Sequence, residues 1–184
     1  MQNPVIFLIG LHGVGKSTIG KILAAKQGFK HISIGDLGRL LRKNKIPKGY
    51  SLRFLRLLAK HERGERMAPE LVNALMEEIR AVVHLRGVVV DGFPAEPMHV
   101  LSLPTGSTVV HLTCPEQERV QRLAHRSECT ARKWHCGIES RRDEQVEAVF
   151  SVAQESRILR TQVIASEGDP QAIAGQVLAA SFPI

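Results

Sequence analysis

Residues Gly10 to Thr18, reading Gly10-Leu11-His12-Gly13-Val14-Gly15-Lys16-Ser17-Thr18, have the types and spacing to wrap an anion. They fit G-x-x-x-x-G-K-[ST], between a short apolar run and a segment of helical periodicity. Gly10, Gly13 and Gly15 let the backbone approach an anion that a Cβ would obstruct. Backbone N–H groups and the following helix start then point at phosphate oxygens. Lys16 adds a charge for the β/γ oxygens, and the Ser17 hydroxyl can ligate Mg²⁺. A second chemical residue is Asp91, at the end of the apolar run Val88-Val89-Val90. A carboxylate at that place reads as the acid that holds Mg²⁺ through water.

These groups need a scaffold, and the pattern supplies one. Pro4–Ile9, His31–Ile34, Gly87–Val90, Thr108–Leu112 and Gln162–Ala165 read as five short buried strands. Helical periodicity runs from the loop to about Gln27, from Ser51 through Arg63, and through Leu71, Leu75, Ile79 and Val82. Further helices are expected from Pro115 to about Arg126, through Val146, Val149, Phe150 and Ala153, and from Pro170. Strand and helix in alternation predict an α/β, three-layer fold around a five-stranded parallel sheet, with ligands at the carboxyl ends of the strands.

The chain's 184 residues suit a single domain with one core. Hydrophobic residues form 43% and are evenly spread, which excludes a disordered chain. No apolar run reaches the roughly 18 residues of a membrane helix, and the start shows no basic leader, so no membrane and no signal peptide are expected. Three cysteines argue against a disulfide framework and for a reducing, cytoplasmic setting. The net charge of +7 favours anionic partners, either nucleotides or nucleic acid. Ten lysines and arginines lie between Arg39 and Arg66, opposed by Glu62 and Glu65.

With these motifs in order, the chain resembles the adenylate kinase-like nucleoside monophosphate kinases, over nearly its whole length. His31–Arg39 (HISIGDLGR) is similar to that family's S-T-G-D-x-x-R motif, and Val88–Pro94 (VVVDGFP) to its D-G-F-P-R signature. Gly64–Val72 resembles the segment after the acceptor-binding helices. Arg122 and Arg126 match the arginines at the entrance of the lid, and Arg141 and Asp143 those at its exit. The resemblance implies transfer of the ATP γ-phosphoryl group to a nucleoside monophosphate, with Mg²⁺. Lys16, Arg122, Arg126 and Arg141 would surround the transferring group, and Arg122 would also lie against the ATP base. Arg39 would hold the acceptor phosphate, while Ile34, Gly35, Gly92, His99 and the backbone of Glu65, Arg66 and Met67 would line the acceptor. It further implies a helical acceptor-binding insertion over about 35–72 and a short lid over about 127–139, in a monomer.

The acceptor side departs from the family pattern. Ala95 stands where the family has arginine, Ile34 where it has threonine, His99 where it has a base-reading glutamine, and Val152 where it has a second helix arginine. Arg53, Arg56 and Arg66 are candidates to replace the first lost charge, and Arg157 or Arg160 the second. His125, Cys129, His135 and Cys136 could supply four zinc ligands in the lid, but adjacent His135 and Cys136 rarely share an ion, and reduced thiols are the favoured reading. His12 is read as a variable loop position. Beside the nucleoside monophosphate kinase stand a P-loop kinase of another anionic acceptor and, less favoured, a nucleotide-gated module whose basic Arg39–Arg66 face holds nucleic acid.

Overall fold

The computed structural model describes residues 3–62, 64–129 and 143–182. Five parallel strands form one sheet in the order β2-β3-β1-β4-β5: β1 Val5–Ile9, β2 Lys30–Ser33, β3 Val88–Asp91, β4 Thr108–Thr113 and β5 Arg160–Ala165. β1 sits at the centre, with Leu8 level with Asp91 of β3 and with Val110 of β4. All five of its residues are buried. Alternation sends Val5, Phe7 and Ile9 to one face and Ile6 and Leu8 to the other, so each face carries its own apolar cluster.

Helices cover both faces. α1 (Lys16–Gln27) and α7 (Pro170–Ser181) pack Ile19, Leu23, Ile173 and Val177 on the Ile6/Leu8 side. α2 (Ile34–Arg42), α3 (Leu52–Lys60), α4 (Pro69–Val83) and α6 (Val146–Glu155) cover the other, around Phe54, Leu75, Ile79 and Phe150. α5 (Glu116–Cys129) follows β4 and crosses above the loop.

Several boundaries differ from the sequence reading. Ile34 opens α2 instead of ending β2, because the Ser33 hydroxyl accepts the Asp36 N–H at 3.3 Å and caps the helix there. α3 is capped by Ser51 through the Phe54 N–H at 3.2 Å and stops at Lys60; Arg63 lies outside the described residues. α5 runs on to Cys129, so residues 127–129, the first of the expected lid, are helical. β5 starts two residues earlier than the pattern implied and, as the sheet's edge, leaves Val163 exposed. A 3₁₀ turn over Pro97–Ser102, absent from the periodicity, buries His99 and Val100.

Candidate active site

The loop between β1 and α1 turns through three left-handed glycines, with φ of 136° at Gly10, 95° at Gly13 and 99° at Gly15. Space requires glycine as well as conformation. A Cβ at Gly10 would stand 2.3 Å from the Leu112 carbonyl oxygen, and one at Gly13 would stand 2.9 Å from Leu123 Cγ. The loop is therefore wedged between β4 and α5. Lys16 Nζ donates to the carbonyls of Gly10 at 2.6 Å and Leu11 at 2.7 Å, which draws the ammonium across the loop.

Asp91, at the end of β3, meets three side chains. Its carboxylate accepts the Ser17 hydroxyl at 3.3 Å and the Ser33 hydroxyl at 3.0 Å, and lies 2.6 Å from His31 Nε2. Burial alone would raise its pKa. The hydrogen bond and charge of His31, the Ser33 hydroxyl and the Lys16 charge together outweigh burial and hold it below the ordinary carboxylate value. A buried carboxylate kept ionised beside a serine hydroxyl is a hard oxygen donor set, which suits Mg²⁺. His31 was not singled out from the sequence. Its signal was Gly20 inside α1, where a Cβ would stand 2.4 Å from His31 Nε2: an isolated glycine in a helix marks a close approach.

A second network fixes the loop from the other side. Asp143 accepts from the His12 backbone N–H at 3.0 Å and lies 2.9 Å from His12 Nδ1. Arg119 donates to the His12 carbonyl at 3.0 Å, reaches Asp143 at 3.6 Å and grips Glu116 with two bonds of 2.7 and 2.6 Å. Burial raises the Asp143 pKa, but the His12 bonds and charge and the Lys16 charge lower it further than burial lifts it. His12 is thus a structural tie between the loop, Asp143 and Arg119. The contact of Arg119 with the loop went unnoticed because the His12 carbonyl lies 107 residues away in the chain.

Arg122 is anchored to Ser166 after β5. It donates to the Ser166 carbonyl at 2.7 Å and contacts Glu118 one turn back, while the Ser166 hydroxyl bonds the Val14 carbonyl at 2.6 Å. Between these groups and α2 opens a cleft of about 780 Å³. Gly13, Gly15, Lys16, Ser17, Thr18, Asp91, Arg122 and Arg126 line one part of it. Ile34, Gly35, Asp36, Arg39, Arg42, Gly92 and, from α3 and its C-cap, Leu58 and His61 line the rest. Arg39 contacts Asp36, which lies 3.9 Å from Lys21.

Other expected residues lie elsewhere. Val14 is buried beneath the loop, and Gly10 faces a small cavity of about 60 Å³ with Phe93, Pro94 and Ala95. His99 does not line the cleft: burial turns it inward, where it stacks on Phe93 at 4.9 Å and its Nδ1 accepts the Ala95 N–H at 3.2 Å. Glu65, Arg66 and Met67 are also absent from the cleft, because Met67 packs into the core and Arg66 points out toward Glu96 at 3.6 Å. Arg53 is drawn away by Glu77 through two contacts of 2.7 Å. Arg160 cannot take the place of an arginine at Val152, since it bonds the Gly106 carbonyl at 2.6 Å at the opposite end of the sheet. Arg141, His135 and Cys136 lie outside the described residues. His125 and Cys129 both line the cleft, with Cys129 Sγ 3.5 Å from His125 Nε2. Among the described residues, no group of three His, Cys, Asp or Glu could hold a metal ion, and no helix is long and apolar enough to cross a membrane.

Comparison with known proteins places this geometry. A family model described as an AAA domain matches residues 6–148. Adenylate kinase isoenzyme 5 of Mus musculus is 34% identical over 133 residues, which cover 69% of this chain and 23% of the relative. Adenylate kinase of Lachnospira eligens is 28% identical over 167 residues, covering 84% of this chain and 74% of the relative. That of Elusimicrobium minutum is 32% identical over 133 residues, covering 68% and 59%. The chain thus spans about a quarter of the length of the mouse relative. Among solved structures, a gluconokinase from Sinorhizobium meliloti 1021 shares the fold, with a TM-score of 0.58 over 97% of this chain and 91% of that one, at 20% identity.

Proposed function

This chain belongs to the AAA-domain family and is similar to adenylate kinases; from that premise we propose that it is an ATP-dependent kinase that phosphorylates a nucleoside monophosphate. The observation that carries the reading is the continuity of the cleft, which joins Lys16, Ser17 and Asp91 at the loop to Arg39 on α2, with Arg122 and Arg126 alongside.

In this reaction the P–O bond to the ADP leaving group breaks as one forms to an acceptor phosphate oxygen. The transferred group carries dispersed negative charge, so positioning and positive charge do most of the work. The loop N–H groups and Lys16 hold the donor phosphates. Arg122, locked by Ser166 and Glu118, presents its guanidinium in a set orientation, and Arg126 adds charge one turn on. Arg141 is the third arginine of the reading. A nucleoside monophosphate brings an ionised oxygen as nucleophile, so no base is required. Mg²⁺, held at Ser17 and Asp91, would neutralise donor phosphate charge. His31 and Ser33 keep Asp91 ionised and oriented for that ion. His99, Glu65, Arg66 and Met67 remain acceptor-side residues of the reading only through their backbone or a rearranged cleft.

A second reading, a hydroxyl acceptor such as a polynucleotide end or a small metabolite, rests on Asp36, whose carboxylate lines the cleft and could take a hydroxyl proton. A panel of nucleoside monophosphates, oligonucleotides and sugar acids, incubated with ATP and Mg²⁺ and assayed for phosphorylated product, separates the two. Product only from hydroxyl acceptors would overturn the first reading.

A further inference from the structure

We infer that Arg42 supplies the acceptor-side guanidinium that Ala95 lacks, so that Arg39 and Arg42, one turn apart on α2, jointly hold a phosphomonoester dianion. The inference rests on the reading of the cleft as a kinase site with an anionic acceptor.

The geometry of α2 carries it. Gly35, Gly38, Arg39 and Arg42 all line the cleft. Outside the helix backbone, the three atoms nearest a Cβ at Gly35 are those of the Arg39 guanidinium, with Nη1 at 3.2 Å. At Gly38 they are those of the Arg42 guanidinium, with Nη1 at 3.4 Å. Each arginine therefore folds back over a glycine four residues earlier, and the same device appears twice in nine residues. Glycine inside a helix is less favourable than alanine. Gly38 has no left-handed φ, and the Arg42 guanidinium lies over it at van der Waals distance from a Cβ, on the part of α2 that lines the cleft.

The three arginines weighed as replacements for the lost charge do not reach the cleft. Arg53 is clasped by Glu77, Arg66 faces Glu96, and neither they nor Arg56 line the cleft. Along α2, Arg39 and Arg42 line the cleft beside Lys21, with Asp36 opposing them, so this end of the cleft carries an excess of positive charge suited to an anion. Two guanidinium forks from one rigid helix can grip separate oxygens of that phosphate. The same task falls to helix α2 alone, where the family pattern divides it between α2 and the loop after β3.

The test uses the full chain saturated with a non-hydrolysable ATP analogue and Mg²⁺, so that the loop is filled. Inorganic phosphate is titrated by ³¹P line broadening, in parallel with the product assay on nucleoside monophosphates. Arg42→Gln should weaken phosphate binding about tenfold or more, Arg42→Lys should weaken it less, and Arg53→Gln should leave it as in the wild type. Thermal unfolding confirms that each variant is folded. Phosphate binding that is undetectable in the wild type, or equal in wild type and Arg42→Gln, overturns the inference. A loss of phosphate binding in Arg42→Gln together with no phosphorylation of any nucleoside monophosphate sustains the phosphate clamp and overturns the proposed reaction instead.

Discussion

In the proposed reaction Lys16 and Asp91 do different work at the donor end of the cleft, and substitution separates them. Lys16→Ala removes the ammonium that spans the loop, so turnover should fall by about 10²–10³-fold or more with the fold intact. Steady-state assay with a thermal-unfolding control checks this, and unchanged activity would end the kinase reading. Asp91→Asn keeps the shape but places an amide against His31 and two serine hydroxyls. It should lower kcat strongly and raise the Mg²⁺ concentration needed for half-maximal rate, which a metal titration measures. At the acceptor end, Ala95→Arg restores the family's residue beside the small cavity under the loop. If Arg42 has taken over that role, Ala95→Arg should recover affinity for AMP in the Arg42→Gln background more than in the wild type. Equal gains in both backgrounds would show that the two positions act on different groups.

At the level of elements, two contacts fix the loop and Asp91 to their neighbours. Gly20 lets α1 approach β2 closely enough for His31 to reach Asp91. Gly20→Ala improves helix propensity by about 1 kcal/mol, yet drives a methyl into the imidazole at a cost of about 1–3 kcal/mol. It should therefore destabilise the wild type but stabilise a His31→Ala protein, and denaturant unfolding of the four variants reads the change of sign. Arg119 joins α5 to the loop and to Asp143. Arg119→Ala leaves the His12 carbonyl and the half-buried Asp143 carboxylate without that partner, a loss of about 1–3 kcal/mol. Hydrogen exchange at the amides of Gly13 to Gly15 should accelerate in that variant; unchanged protection would mean that α5 does not hold the loop.

For the whole molecule, the pH dependence of stability has two parts. His99 and His111 both have lowered pKa values, chiefly through burial, although Glu96 and Glu147 respectively pull the other way. The fold keeps them neutral, while the unfolded chain takes up protons near the ordinary value of about 6.5. Their contribution is present above about pH 6.5 and is lost as pH falls below it toward the folded values. Asp91 and Asp143, lowered on balance, contribute stability that is present above the ordinary carboxylate value of about 4 and lost as pH falls through their folded values. The thermal midpoint should thus decline from about pH 6.5 downward and fall again below about pH 4. His99→Gln should flatten the upper decline, and Asp143→Asn the lower one. A midpoint that is level between pH 5 and 7 would contradict the histidine assignment.

Sequence alone determined the phosphate loop, the five strands and the acid at the end of β3. Those signals are local: a nine-residue motif, apolar runs of four to six residues, and a carboxylate closing one of them. Tertiary packing decided which polar residues reach the cleft. Arg53, Arg66 and Arg42 look alike in a basic segment, and only the turn of α2 and the pull of Glu77 and Glu96 sort them. His99 sits at the spacing of a base reader, but the Phe93 ring and the Ala95 N–H turn it inward. His31, Arg119 and Ser166 meet partners 60, 107 and 152 residues away, and pairings of that range depend on the folded sheet, since no local pattern encodes them.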